Sequence, residues 1–325
     1  MAVRSDAADV RFEDLEQYRR ELTGYCYRML GSAFEADDAV QDTMVRAWKA
    51  LDSFEGRSSV RSWLYRIATN VCLDMLRGRQ RRARAMDIGG PYTADSFKGD
   101  TLPEQAWMTP IPDAKVLPEN GDPAELAAER ETIRLAFVAA LQHLPARQRA
   151  VLILREVLRW QATEVAELLD SSVASVNSAL QRARATLAER EIEETDVRTG
   201  DAEQQELLAR YVDAFERYDI ESLVALLRED AVMTMPPFNF WLRGPDEMGK
   251  FFVGAGHECE GSRLLATAAN GAYAFGSYKI DPDGGHKPWG VQVIEISGDR
   301  IVGHHNFIDT DATLFEFFGL PTHLS

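Results

Sequence analysis

The chain has 325 residues, 45% of them apolar, and its 52 acidic side chains against 36 Lys+Arg give a formal net charge of −16. That length allows two or three domains, each with an apolar core of its own. Such acidity excludes a protein that coats nucleic acid over its whole surface, no apolar run reaches the roughly 18 residues of a membrane span, and Cys26, Cys72 and Cys259 form neither a zinc spacing nor a disulfide framework.

The N-terminal stretch MAVRSDAADVRFEDLEQYRREL has no apolar core of the signal-peptide type, which points to a cytoplasmic protein with no membrane partner. Phe12, Leu15, Tyr18, Leu22, Tyr25 and Met29 recur at three and four and predict an amphipathic helix over 12–31, closed by Gly31. A second helix starts near Glu35, with Asp37 and Asp38 suited to the positive end of its dipole. Its inner stripe is Ala36, Val40, Met44, Ala47 and Leu51. The segment FEGRSS (54–59) is a turn, and a long helix follows from Val60 to about Arg84, with Trp63, Leu64, Ile67, Val71 and Leu76 inward. Between Arg61 and Arg84 stand seven arginines and one acid. A local patch of that kind meets phosphate even in an acidic chain, and residues 1–84 as a whole carry 15 Lys+Arg against 13 Asp+Glu.

Pro91, Pro103, Pro110, Pro112, Pro118 and Pro123 break residues 85–124. This stretch reads as a linker, either solvated or carrying short helices that dock on a neighbour. It is acidic, with 3 Lys+Arg against 9 Asp+Glu over residues 85–130. Helices resume near Glu125. Leu135, Val138 and Leu141 begin a stripe that Pro145 interrupts, and Arg147 to Leu158 forms the next helix. Thr163 is the expected cap of a helix over 164–169; Asp170, Ser171 and Ser172 make a turn; a last helix runs from Val173 to Glu189 with Val176, Leu180, Ala183 and Leu187 inward. This is a helix-turn-helix pattern, with 8 Lys+Arg against 6 Asp+Glu over residues 131–190. After the polar run 189–205 come helices over 207–218 and 220–226. The period then changes to two, and VMTMPP, SRLLATAANG, AYAFGSYKID and WGVQVIEISGDRIVGHHNFID read as strands. Helices on a curved antiparallel sheet are expected. Residues 191–325 hold most of the excess acid, 24 Asp+Glu against 10 Lys+Arg.

A helix-turn-helix lays its second helix in the major groove. Ser171, Ser172, Ser175, Asn177, Ser178 and Gln181 can exchange hydrogen bonds with base edges, and Arg182 and Arg184 can reach phosphate or guanine. The same serines also cap helices for purely local reasons, and a helical hairpin in a bundle core has the same spacing. In the first block, Phe54, Trp63 and Tyr65 lie beside Arg57, Arg61 and Arg66, a mixture suited to stacking on unpaired bases. Trp63 fits an apolar core equally well.

At these residues the chain resembles the extracytoplasmic-function sigma factors of the sigma-70 family. ADDAVQDTMVRAWKAL is similar to their region 2.2, FEGRSSVRSWLYRIATNVCLDMLR to regions 2.3 and 2.4, and LPARQRAVLILREVLRWQATEVAELLDSSVASVNSALQRARATL to region 4. The resemblance implies a subunit that works with core RNA polymerase on promoter DNA. Asp38, Gln41, Asp42, Arg46 and Trp48 would face the β′ clamp helices. Phe54, Arg57, Ser58 and Ser59 would hold a flipped base of the −10 element, and Arg61, Trp63, Asn70, Asp74 and Arg77 would serve its recognition and melting. The segment from Ser171 to Arg184 would read the −35 element, and Arg147 and Arg149 would meet the DNA backbone or the β flap. The chain departs from the family's pattern in four places. Asp170 stands where Gly is frequent, Ser172 where Pro is, and Asn177 and Ala179 where Lys and Arg are, which lowers the phosphate attraction expected at −35.

The last third resembles a SnoaL-like domain of the NTF2-like superfamily, through MTMPPFNFWLRGPDEMGKFF and IVGHHNFID. The resemblance implies a cone-shaped fold with a pocket between sheet and helices. Tyr218, Phe238, Trp241, Trp289, His304 and Phe307 are the pocket candidates. Some members of that superfamily are isomerases, cyclases or hydratases, so Asp213, Tyr218, Asp230, His304, His305 and Asp309 are the groups that could move protons. His304 and His305 are neighbours on a strand and face opposite sides of it. No catalytic residues, cofactor or metal are expected; ligand sensing or intramolecular docking is.

The combined expectation is a multidomain protein. Two all-α helical domains, over 10–84 and 128–190, the second with the helix-turn-helix, are joined by the linker 85–127. An α+β NTF2-like cone-shaped domain over 204–325 follows. Its partners would be core RNA polymerase, through the β′ clamp helices and the β flap, promoter DNA, and an unknown small molecule at the C-terminal domain. The alternative is a stand-alone, ligand-responsive helix-turn-helix regulator. The 2.2-like helix separates the two readings, because a regulator acting alone has no need of it.

Overall fold

Among the described residues of the computed structural model, 11–56, 58–189 and 202–325, the chain forms two compact units. One holds the chain up to Arg81 and again from Ala114 through the helix-turn-helix; the other holds Arg82–Asp113 and the C-terminal segment. Arg57 and most of the polar run 189–205 lie outside the described residues.

The first unit is helical. A 3-10 segment, Phe12–Tyr18, leads into α1 (Arg19–Leu30), which ends at Gly31 in the left-handed conformation. Ser32 then caps α2 (Ala33–Ala50), its hydroxyl accepting from the Glu35 amide, and Ser59 caps α3 (Val60–Met75) by accepting from the Ser62 amide. The core is the expected stripe: Leu22, Tyr25, Met29, Val40, Met44, Leu64 and Val71 are all buried. Tyr25 keeps its hydroxyl satisfied at 2.8 Å from Thr69 Oγ1. The fold also brings Cys26 and Cys72, far apart in sequence, together as free thiols in this core. The third helix is shorter than expected. It stops at Met75, with Gly78 at φ +73°, so the arginines from Arg79 onward stand on irregular backbone.

The chain returns to this unit through a single helical turn, α4 (Asp113–Val116). Asp122 caps α5 (Pro123–Ile133), and α6 (Leu135–Gln142), α7 (Ala146–Leu152), one π-helical turn (Ile153–Val157), α8 (Ala162–Leu168) and α9 (Val173–Ala188) follow. The cap of α8 is Gln161 rather than Thr163, its amide bound to the Glu164 carboxylate at 2.7 Å. The two helical blocks interlock where α1 ends. The last carbonyls of a helix have no partner within it. Here the Met29 carbonyl accepts from Arg149 and the Arg28 carbonyl from Gln142 (3.3 Å). Arg149 also donates to the carbonyls of Gln142 and Leu144, both at 3.1 Å. Burial pushes its guanidinium down to about 10, so it stays charged at neutral pH and complements the negative end of the α1 dipole. Arg149 was expected to meet DNA or polymerase; at 5% exposure it is instead the buried lock of the unit.

The second unit is built on six strands. They are β1 (Leu227–Thr234), β2 (Trp241–Arg243), β3 (Arg263–Ala269), β4 (Ala272–Ile280), β5 (His286–Ser297) and β6 (Arg300–Ile308), in the order β2-β1-β6-β5-β4-β3. The β1–β6 pair is parallel and the others antiparallel, so the sheet is mixed rather than antiparallel throughout. One face packs on α10 (Ala202–Glu216), α11 (Ile220–Val224) and α12 (Pro245–Val253), with Leu207, Tyr211, Phe215, Met233, Phe252, Phe275 and Ile294 in its core. A last helix, α13 (Thr313–Phe318), sets Phe315 edge-on against Tyr278, ring centroids 5.0 Å apart.

Of the stretch expected as a linker, 85–127, the part up to Asp113 belongs to this unit and the rest to the helical one. Arg82–Asp113 runs along the sheet as a strap. Trp107 is 2% exposed and packs with Ala85 and Trp241, with Val232 beside them, on the side of the sheet that carries Thr234 and His305. Phe97 lies among Phe238, Phe240 and Phe251, with centroid distances of 4.9 to 5.6 Å. Backbone bonds hold the strap throughout: Tyr92 N to Trp241 O (2.9 Å), Leu102 N to Pro237 O (3.0 Å), and Asn270 N to Ile111 O (3.1 Å). The four prolines of the strap, Pro91, Pro103, Pro110 and Pro112, break regular structure and leave its backbone groups free to bond outward in this way.

Candidate nucleic-acid interface

The face of α2 away from the core carries Asp38, Gln41, Asp42, Val45, Arg46 and Trp48, at the spacing of one helical surface. Arg46 bridges Asp42 at 2.7 Å and reaches Asp74 of α3 at 3.8 Å. Trp48 is 61% exposed and Val45 46%. Two large apolar side chains thus stand in solvent on a charged face. All five residues expected to meet polymerase lie here together.

The −10 candidates divide. Phe54 and Trp63 stack with centroids 4.8 Å apart, both half-buried, so Trp63 closes the 54–59 turn rather than filling the core stripe. Ser59 is the α3 cap and Ser58 is half-buried beside it, while Asn70 is exposed. Asp74 and Arg77 pair at 3.1 Å, and the Arg77 side chain is 80% exposed. Arg57 lies outside the described residues. Arg61 is engaged within the protein. It forks onto the Glu21 carboxylate at 2.9 Å and lies over the rings of Tyr65 and Trp160, 5.3 and 5.4 Å from their centroids. Trp160 belongs to the second helical block, and Arg66 also reaches it, donating to the Glu167 carbonyl at 3.1 Å. Trp160 and α8 thus lie against the outer side of α3 at Arg61 and Arg66.

In the helix-turn-helix, Asp170 takes φ +46° and Ser172 caps α9, its hydroxyl accepting from the Ser175 amide at 3.1 Å. An acidic residue tolerates the left-handed turn where glycine is frequent, because its short side chain can bond locally. Val176, Ala179, Leu180 and Ala183 are buried, which leaves Asn177, Gln181, Arg182 and Arg184 on the solvent side. Ser172 and Ser175 thus serve the cap first, and half-buried Ser171 donates its amide to the Ala166 carbonyl. Half-buried Ser178 accepts from Arg182 (2.6 Å), and Arg184 pairs with Glu156 (2.6 Å). Arg147 donates to the Leu169 carbonyl at 2.6 Å and so braces the end of α8. These exposed pairs are worth little and exchange readily for phosphate.

The pocket candidates of the C-terminal unit do not converge. Tyr218 donates to the carbonyls of Phe252 and Gly256 and ties α12 to the loop after it. Phe238 meets the strap, and the Trp241 indole donates to Gly89 of the strap at 2.8 Å. Trp289 lies under the Lys279 ammonium. Phe307 is on the sheet face opposite His304. His304 is buried on the helical face in a directed chain: Asn306 Nδ2 to His304 Nδ1 (3.2 Å), His304 Nε2 to the Tyr211 hydroxyl (2.7 Å), and Tyr211 to Gln292 Oε1 (2.6 Å). Burial, with a smaller contribution from neighbouring His305, pushes His304 down to about 3. His305 faces the other way, 3.0 Å from Thr234 Oγ1 and 3.4 Å from the Glu295 carboxylate. Of the other proton-transfer candidates, Asp213 pairs with Arg217, Asp230 with Arg228, and Asp309 caps α13. A groove of about 580 Å³ lies between α10 and strands β3 and β4, lined by Leu208, Val212, Asp213, Glu216, Tyr273 and Phe275 among others. Of its lining only Asp213 stands among the candidates read from the sequence, because α10 and the two strands come together only in the fold. Among the described residues no cluster of His, Cys, Asp and Glu is placed to hold a metal ion, and no helix is long and apolar enough to cross a membrane.

Three family models match the chain: sigma-70 region 2 over residues 15–82, sigma-70 region 4 over residues 134–187, and the SnoaL-like domain over residues 208–304. The ECF RNA polymerase sigma factor SigG of Mycobacterium tuberculosis is 43% identical over 316 residues, covering 95% of this chain and 83% of that protein. The ECF RNA polymerase sigma factor SigW of Bacillus subtilis is 28% identical over 186 residues, 57% of this chain and 90% of that one. Among solved structures, the extracytoplasmic function sigma factor SigJ of Mycobacterium tuberculosis aligns with a TM-score of 0.57 at 21% identity, over 96% of this chain and 100% of that one, a likeness of fold.

Proposed function

The chain belongs to the ECF RNA polymerase sigma factors, and from that membership we propose which of its surfaces do the work. As a sigma factor it directs core RNA polymerase to promoters, and it carries a SnoaL-like regulatory domain. The α2 face docks on the β′ clamp helices. The observation that carries this is Trp48, 61% exposed on a helix whose opposite face is wholly core. The 54–59 turn and the outer side of α3 engage the −10 element, and the exposed side of α9 reads −35 through Asn177, Gln181, Arg182 and Arg184. Arg147, near the turn, is the side chain left to meet the backbone or the β flap. A protein working beside RNA polymerase acts in the cytoplasm.

Two features support regulation from within the chain. The first is the interlock: Arg61 and Arg66 are held by the second block, so promoter opening requires the blocks to part. The second is the strap. The segment that joins the two sigma blocks is bound to the C-terminal unit, and that unit therefore controls how far the joining segment can extend. Extended, 32 residues reach roughly 100 Å; docked, they cannot. On this reading the C-terminal unit acts by holding chain. The groove of about 580 Å³ is where a small molecule would bias that hold.

The test is reconstitution with core polymerase and a promoter library. Specific start sites are expected with the full chain. Trp48→Ala should weaken core binding with unchanged promoter choice, and Asn177→Ala with Gln181→Ala should change −35 choice with unchanged core binding. If neither variant differs from the parent, the surface assignment fails.

A further inference from the structure

Strand β3 is the last strand of the sheet, and its side away from β4 is open. Its amide directions are known at two points. The Leu264 amide donates to the Glu216 carboxylate at 2.9 Å and the Asn270 amide to the Ile111 carbonyl at 3.1 Å, both away from β4. Alternate residues of a strand share a direction, so the amides of Ala266 and Ala268 point outward as well, and both residues are exposed with no partner among the described residues. Sheet edges are ordinarily blunted by lysine, proline or a bulge. LLATAA, residues 264–269, has none of these.

One end of this edge already receives chain: Pro112 of the strap forms an antiparallel bridge to Ala269. The free edge continues directly from that bridge. Behind it runs the α10 groove, with Leu208, Val212 and Phe275 as apolar walls and Asp213 at the rim. Among the described residues Asp213 pairs with the exposed Arg217, and residues 191–325 hold 24 Asp+Glu against 10 Lys+Arg.

We propose that the outer edge of β3 binds an extended peptide segment of a partner protein by strand addition, its alternate apolar side chains entering the α10 groove and its basic side chains meeting the acidic surface. Main-chain bonds supply the affinity in this mode, and the groove and the charge supply the selectivity.

The test uses the full chain and a fluorescent, end-blocked peptide of about six residues alternating valine and lysine. Saturable binding is expected by anisotropy. Ala266→Pro removes one outward amide, and proline is tolerated on the open side of an edge strand; it should weaken binding at least tenfold. Val212→Arg obstructs the groove from the helix without touching the strand and should do the same, as should glutamate in place of the peptide's lysines. No saturable binding, or binding that survives both protein variants, overturns the proposal.

Discussion

Arg149 is a cation with no role at a surface. Its four hydrogen bonds go to the carbonyls of Met29, Gln142 and Leu144 and to the Gln142 side chain. Arg149→Met keeps the volume and leaves those carbonyls buried without donors, so a loss of about 2–3 kcal/mol in the first unit is expected, read as a lower urea midpoint. His304 makes the opposite case, a buried group held neutral. The fold keeps it unprotonated down to about pH 3, whereas the unfolded chain protonates it below the ordinary value of 6.5. The unfolded state then binds the extra proton, so stability of the second unit is intact above that value and falls with pH through the window below it. His304→Gln retains a partner for Tyr211 and should flatten this acid limb. Urea midpoints measured from about pH 7 to 5 that decline equally in both proteins would contradict the account. Neither role can be seen in the residue type. An arginine near a helix-turn-helix suggests DNA, and burial decides against a surface role for Arg149; His304 is buried as well, in a hydrogen-bonded chain with Tyr211.

At the scale of elements, the helices were legible and the strap was not. The stripes of α1, α2 and α9 repeat at three and four; burial follows those of α2 and α9 from Ala36 to Ala183, while α1 is buried all round from Leu22 to Leu30. The boundaries that moved did so for local reasons: Gly78 turns the chain after α3, and Gln161 outcompetes Thr163 as a cap through Glu164. The strap has no period because its partners lie across a sheet some 150 residues away in the chain, as for Trp241 and Gly89. Its proline content signals only that it is not a helix. Trp107→Ala should destabilise the second unit by about 3–5 kcal/mol and make Arg82–Asp113 sensitive to protease while the helical unit keeps its midpoint. It should also change promoter output in reconstituted transcription. A variant that loses stability with unaltered output would separate the strap's structural role from any regulatory one. On α9 the expected loss per base-reading side chain, Asn177 or Gln181, is about 1–3 kcal/mol, at one promoter position each, measured by competition binding with the polymerase complex.

For the whole molecule, the charge partition matters more than the net −16. The two sigma blocks are slightly basic, and most of the excess acid belongs to the C-terminal unit. Removing the chain after Glu194 should therefore do two things at once. It should lower the repulsion between protein and promoter, seen as higher affinity at low salt, and it should strip the strap of its sheet, exposing Trp107, Met108 and Ile111, all buried now. Dye binding and self-association of the truncated chain would report the second effect, and identical promoter affinity across salt would refute the first.

The sequence by itself determined the three modules, their order and their family. Hydrophobic period and cap chemistry are local, and the sigma-70 and SnoaL-like segments are contiguous. Through the family resemblance it also offered the α2 face as a candidate docking surface, and Trp48 is exposed there. Only the tertiary structure decided that Arg149 is a lock, that Arg61 is shared with Trp160, that the joining segment is a layer of the C-terminal unit, and that the cavity lies beside α10. Each of these depends on which distant residue arrives opposite, and a long-range partner leaves no periodic trace in the chain that receives it.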